Sequence, residues 1–271
     1  MLLGDPSAGG LPAGIPPMSG TERRERLGRA KLLLVFTPDL TPNADGEDGT
    51  GTSLSALEGA LPSVDIVQVR PKAIALRSRS VDPGVSHQAV TSARDAYDWC
   101  LRVLDLLAGI AKDDRPLLMV NDRVDVAKAL LGRGLDGVHV GRGDMPADAA
   151  RGLLGTDAII GLSTHTTRDL GLAWDAPVDT VGFGPIFPTA TKGYGTAAAA
   201  PDAPSPLGPE RAWVAHESSP VPLFPIGGID LSNVQQLERV GRAAVGSAVL
   251  SAADPGAAAK GIRAALESTP Y

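Results

Sequence analysis

The chain has a single cysteine, Cys100, so it cannot form an internal disulfide, and nothing in it calls for an oxidising compartment. Aromatic residues are scarce at 4%, so a core must be built from the aliphatic side chains that dominate the 43% hydrophobic content. Positive charge is in deficit, with a formal net charge of −6, which argues against nucleic acid or an anionic membrane as the main partner. An anionic substrate would need cations concentrated locally. No apolar run reaches membrane-spanning length, and the first thirty residues lack the apolar core of a signal peptide. A soluble, cytoplasmic protein is the expectation. Also missing are a Walker loop, a zinc-ligand spacing, a Ser-His-Asp order, and a G-x-G-x-x-G after the first strand.

What is present is glycine and proline in quantity, 32 and 23 residues, which implies many turns in a chain of 271. That length suits one (β/α)₈ barrel of roughly 250 residues. Residues 1–30 read as a flexible N-terminal arm ending in a short charged helix, Thr21–Arg29, and residues 31–271 as a single barrel domain. Eight strands are expected at Leu32–Thr37, Ile66–Arg70, Leu117–Val120, Gly137–Val140, Ala158–Leu162, Thr180–Gly184, Pro222–Ile226 and Ala243–Gly246. Helices are expected between them, among them Ser53–Leu61 capped by Ser53, His87–Ala108, Val124–Leu131, Thr166–Trp174, Pro209–Glu217, Ser232–Val240 and a closing Pro255–Glu267. Near-continuous apolar strands alternating with helices predict a parallel sheet buried on both faces, an α/β (β/α)₈ TIM barrel. An open doubly wound sheet is the alternative, but it lacks its glycine fingerprint here.

The stretch Leu117–Asp144 reads as strand, helix, strand, and each strand leads into an acidic residue, Asp122 and then Asp144. In a parallel unit both carboxylates reach the same rim, where two oxygens offer a seat for Mg²⁺. The competing reading makes both residues helix caps. Alternation after strand two puts Gln68, Arg70 and Lys72 on one face, an amide and two cations suited to a pyrophosphate. After strand six, Thr189, Thr191 and Lys192 can wrap a phosphate. The turns at Gly227-Gly228 and Gly246-Ser247 lie in loops seven and eight, the usual phosphate seat of this fold. Ser163 can hydrogen-bond a phosphate, and His165 reads as a structural hydrogen-bonder more than a base.

The motifs QVRPK, NDRVD, DGVHVGRGDMP, AIIGLSTHT, GFGPIFPTATK and PIGGI stand in this order at the strand ends, and together they resemble the thiamine phosphate synthase family over about Leu32–Leu266. The resemblance implies a barrel that joins 4-amino-5-hydroxymethyl-2-methylpyrimidine diphosphate to a thiazole phosphate and releases pyrophosphate. By position it implies that Gln68, Arg70, Lys72, Asn121, Ser163 and Lys192 hold the pyrimidine diphosphate, with Arg70, Lys72, Lys192 and Ser163 carrying catalysis. Asp122 and Asp144 would hold Mg²⁺, and Thr189, Thr191, Gly227, Gly228, Gly246 and Ser247 the thiazole phosphate. The implied partners are these two small molecules, with no nucleic acid and no membrane; a homo-oligomer is left open. Departures from the family pattern are Pro71 in place of an acidic residue, Arg142-Gly143 in place of a Gln and an acidic residue, and long loops after Arg70 and Lys192. The second of these, Gly193–Pro206, is expected to act as a lid, with a disordered surface insertion as the competing reading. The competing functions are a thiazole tautomerase on the same barrel, with His165 as its base, and a non-catalytic protein that binds thiamine precursors.

Overall fold

Short aliphatic runs buried on every residue form the frame of the molecule. The computed structural model describes residues 15–40, 50–71, 92–189 and 205–268. Its strands are β1 (Leu32–Phe36), β2 (Ile66–Val69), β3 (Leu117–Asn121), β4 (Gly137–Val140), β5 (Ile159–Thr164), β6 (Thr180–Phe183), β7 (Leu223–Pro225) and β8 (Ala243–Val245). All paired strands are parallel, in the order β7-β6-β5-β4-β3-β2-β1-β8. A bridge from Ile226, just past β7, to Ala244 in β8 closes the ring. This is the predicted (β/α)₈ barrel. The helices are α1 (Gly20–Arg29), α2 (Thr50–Ala60), α3 (Ala93–Leu107), α4 (Val124–Leu130), α5 (Ala147–Leu154), α6 (Thr167–Trp174), α7 (Pro209–Ser218), α8 (Ser247–Leu250) and α9 (Pro255–Glu267). Among the described residues no helix is long and apolar enough to cross a membrane.

Alternation divides each strand between two cores. Leu34, Val67, Leu118 and Val138 face the helices, while Leu33, Ile66, Leu117, Met119 and Ile159 fill the barrel. Met18 and Leu27 plug the inner core from below. Cys100 is wholly buried in the outer core, and burial pushes its thiol up, away from the reactive thiolate.

The lower pole is fastened by a repeated device. An aspartate stands one residue before each of β2, β4 and β6 and accepts the N–H of the first or second residue of the preceding strand. Asp65 takes Leu32 N–H at 3.0 Å, Asp136 takes Leu118 N–H at 2.9 Å, and Asp179 takes Ile160 N–H at 2.8 Å. These amides would otherwise lack a partner at the sheet's edge. Each aspartate also meets an arginine: Arg263 at 2.8 Å, Arg23 at 2.9 Å and Arg151 at 2.6 Å. Before β8 an arginine takes the place of the aspartate: Arg242 donates to the carbonyls of Leu27, Gly28 and Ala30 and holds the C-terminal end of α1.

Several details differ from the sequence reading. Residues 20–29 form the short helix expected there, α1, but it is packed on the barrel instead of belonging to a loose arm, with Arg23 and Leu27 buried against the barrel floor. Ser53 is not a cap: α2 begins before it, and its hydroxyl donates to Pro38 O. Thr166 is the cap of α6, accepting from Asp169 N at 3.1 Å. The helix expected over Ser232–Val240 shrinks to a 3₁₀ turn, Val234–Leu237. Its apolar residues Val234, Leu237 and Val240 are spaced by three, which is the period of that tighter helix. Lys72, Thr191, Lys192, residues 193–204 of the expected lid and the beginning of the helix expected from His87 lie outside the described residues.

Candidate active site

The C-terminal mouth of the barrel holds a cavity of about 380 Å³, large enough for a small-molecule ligand. Its walls differ in character. Gln68, Asn121, His139 and Ser163, from the successive strands β2 to β5, make a polar wall with Arg70 at its rim. Across from it Leu33, Val35, Val245, Ile226 and Pro185 make an apolar one. The sequence reading named four of the five polar-wall residues, and the fold brings them together.

Within the polar wall the side chains hold one another. Gln68 Nε2 donates to Asn121 Oδ1 at 2.5 Å, and His139 Nε2 lies 3.0 Å from Ser163 Oγ. His139 was not singled out from the sequence. The signal was there, because it is a polar residue at an inward position of β4, between Val138 and Val140 of the outer core. Its ring occupies a slot left by glycines on the next two strands. A Cβ at Gly161 would lie 2.4 Å from His139 Nδ1, and one at Gly182 3.4 Å from Cε1. Gly161→Ala is therefore expected to displace the ring and with it the Ser163 hydroxyl. Overpacking of this kind costs about 1–3 kcal/mol, so melting temperature should drop with it. A crystal structure of the variant checks the displacement, and an unmoved ring would refute the slot.

His165 lines the cavity and is also held by hydrogen bonds. Its Nδ1 lies 2.5 Å from Gly184 O, an acceptor, so Nδ1 carries the proton, and its amide donates to Asp169 Oδ2 at 3.1 Å. The residue ties the end of β5 to the loop after β6.

The two rim carboxylates do not cap helices. Asp122 follows β3 in the left-handed region at φ 63°, the one non-glycine residue there among the described residues, and its N–H donates to His139 O. Such a backbone is tolerated by aspartate and is common at functional sites. The cap of α4 is Arg123, whose guanidinium pairs with Asp125. Asp144 is exposed, and its Oδ2 accepts from Gly141 N at 2.7 Å, closing the turn after β4. Neither carboxylate lines the cavity itself; both stand at the ends of neighbouring strands on its polar side. Among the described residues no cluster of three or more His, Cys, Asp or Glu is placed to hold a metal. Two carboxylates fit Mg²⁺ nonetheless, since this ion keeps waters and shares substrate phosphates instead of needing a full protein cage. Arg142, at the site of a family departure, pairs with Asp169 at 3.3 Å.

On the far side, Gly227 and Gly228 both have positive φ, 101° and 65°. A Cβ on Gly228 would meet Pro188 O at 2.3 Å, so glycine is required for conformation and for space alike. The turn is stitched to the loop after β6 by Ile186 N to Ile226 O at 2.9 Å and Phe187 N to Gly227 O at 3.0 Å. Thr189, Gly246 and Ser247 line the same side of the cavity. Gly246 is less constrained: a Cβ there would make ordinary contact, 3.4 Å from Val35 O.

Residues 40–253 match the family model described as thiamine monophosphate synthase. The chain belongs to that family. It is 37% identical to the thiamine-phosphate synthase of Thermosynechococcus vestitus over 235 residues, covering 86% of this chain and 55% of that protein. It thus spans about half the length of that relative. It is 35% identical to the thiamine-phosphate synthase of Mycolicibacterium smegmatis over 248 residues, covering 90% of this chain and 95% of that one. The thiamine phosphate pyrophosphorylase from Pyrococcus furiosus superposes with a TM-score of 0.64 at 27% identity, over 92% of this chain and 99% of that one.

Proposed function

We propose that this chain is a thiamine phosphate synthase, a transferase that condenses 4-amino-5-hydroxymethyl-2-methylpyrimidine diphosphate with a thiazole phosphate. The observation that supports this most is a single cavity with a polar, cationic wall facing a glycine turn, in a chain of this family. The Gln68–Asn121 amide pair offers both donors and acceptors, as the edge of an aminopyrimidine requires. Arg70 stands at the rim to hold the diphosphate, and Ser163, held by His139, offers it a hydroxyl. Lys72 and Lys192 would add to the same charge. Opposite, the Gly227-Gly228 turn with Thr189, Gly246 and Ser247 would take the thiazole phosphate.

In the reaction the pyrimidine methylene C–O bond breaks and its electron pair leaves with pyrophosphate. The lone pair of the thiazole nitrogen then forms the new C–N bond. No proton has to be removed, which agrees with a site whose inward histidines are both engaged in hydrogen bonds. Catalysis is positioning plus charge stabilisation, with the apolar wall shielding the electron-poor methylene from water. Asp122 and Asp144 would hold Mg²⁺, which supplies further neutralisation of the leaving diphosphate.

Two variants test whether the seats are separate. Arg70→Ala is expected to raise KM for the pyrimidine diphosphate and to lower kcat on the order of a hundredfold, as for loss of a charge-stabilising contact. Ser247→Glu is expected to raise KM for the thiazole phosphate selectively, by repulsion. Equal changes in both KM values in both variants would refute two pockets.

A further inference from the structure

The glycine turn is held in place by a residue that belongs to neither seat. Asn233 Nδ2 donates to Gly228 O at 2.7 Å, and Asn233 Oδ1 accepts from Asp230 N at 3.0 Å. One amide thus bridges the turn to the backbone two residues beyond it. Asp230 is held in its own turn by Ser232, whose amide and hydroxyl both donate to Asp230 Oδ1. The turn needs such a tie. Two successive positive-φ glycines have the largest conformational freedom in the unfolded chain and no side chains to pack. Gly228 in turn sits against Pro188 O, next to Thr189. The chain of contact runs from Asn233 through the glycine turn to the loop after β6.

We infer that Asn233 is a positioning residue for the thiazole-phosphate seat, fixing the direction of the Gly227-Gly228 peptide groups without touching the substrate. This rests on the assignment of that turn to the thiazole phosphate.

The test uses the full chain with both substrates and Mg²⁺, comparing Asn233→Ala, Asn233→Asp and Ser247→Glu. Asn233→Asp keeps the acceptor for Asp230 N–H and removes the donor to Gly228 O. Both Asn233 variants are expected to raise KM for the thiazole phosphate about tenfold, the effect of one lost hydrogen bond, with KM for the pyrimidine diphosphate within about twofold of wild type. If Ser247→Glu raises the thiazole phosphate KM and neither Asn233 variant does, the inference is overturned and the seat stands. If none of the three moves it, the seat assignment fails and takes the inference with it. A parallel rise in both KM values, or a melting temperature lowered enough to explain the loss, would reduce Asn233 to a structural role and overturn the inference as well.

Discussion

Asp122→Asn and Asp144→Asn should each lower Mg²⁺-dependent turnover on the order of a hundredfold or more, as removal of a charge-stabilising group does in comparable sites. Asparagine is the informative choice. At Asp122 it tolerates the φ of 63° that alanine would adopt under strain, so a lost rate cannot be charged to the backbone. At Asp144 it keeps an oxygen for the Gly141 N–H, so the turn after β4 survives. Each substitution removes the negative charge and one acceptor oxygen while keeping the side chain's size and shape. The assay is initial rate against Mg²⁺ concentration, alongside circular dichroism to confirm the fold. The expected pattern is a lower maximal rate and a higher Mg²⁺ requirement in both variants. Near-wild-type rates in both would show that these carboxylates are not the metal seat, whatever else they do at the rim.

The second large effect lies at the opposite pole. Asp136→Ala should destabilise the protein by about 3–5 kcal/mol, the usual cost of breaking a buried ion pair from one side. Arg23 and Asp136 are 4% and 0% exposed, with Nε and Oδ1 2.9 Å apart. The substitution leaves that guanidinium buried without its anion and takes the acceptor from Leu118 N–H. A second buried arginine aggravates this. Arg115 is 2% exposed, and its three guanidinium nitrogens have no hydrogen-bond partner among the described residues. Burial pushes its pKa down, and Asp136 is the largest influence opposing that. Asp136 is itself pushed up by burial, against the Leu118 amide and Arg23, which both favour its anion. Urea unfolding should show the loss, while kcat of the folded fraction at low temperature stays unchanged because the site is at the other pole. A loss below about 1 kcal/mol, the range of an exposed pair, would mean that this latch holds nothing.

The two poles were not equally legible in the sequence. The barrel was readable because parallel strands buried on both faces become uninterrupted aliphatic runs, and all eight were placed to within about two residues of their observed ends. Gln68, Asn121 and Ser163 were found through motif order and strand alternation, and the structure gathers them on one wall. His139 escaped because a histidine inside an apolar strand carries no motif of its own; its meaning depends on glycines 22 and 43 residues further along, which the fold brings beside it. Asp122 and Asp144 were ambiguous for a different reason. Aspartate is a favoured cap and a favoured metal ligand, and residue type cannot choose between the two. In the structure the cap positions of α4 and α5 fall to Arg123 and Pro146 instead. Asn233 read as part of a helix since apolar spacing alone does not separate a 3₁₀ turn from an α-helix, and its side-chain bonds point back to a turn five residues earlier. The aspartates before β2, β4 and β6 drew no notice, because a carboxylate beside a strand reads as a solvated end until its arginine is placed against it.

The central claim is that one cavity joins two phosphorylated substrates and expels pyrophosphate. The most direct measurement is a product balance with purified full-length protein, Mg²⁺, the pyrimidine diphosphate and the thiazole phosphate, following thiamine phosphate by chromatography and pyrophosphate by a coupled enzyme. The account predicts one thiamine phosphate for each pyrophosphate, and neither product when the thiazole phosphate, the pyrimidine diphosphate or Mg²⁺ is withheld. Binding of both substrates with no thiamine phosphate formed, or rearrangement of the thiazole phosphate alone, would contradict it.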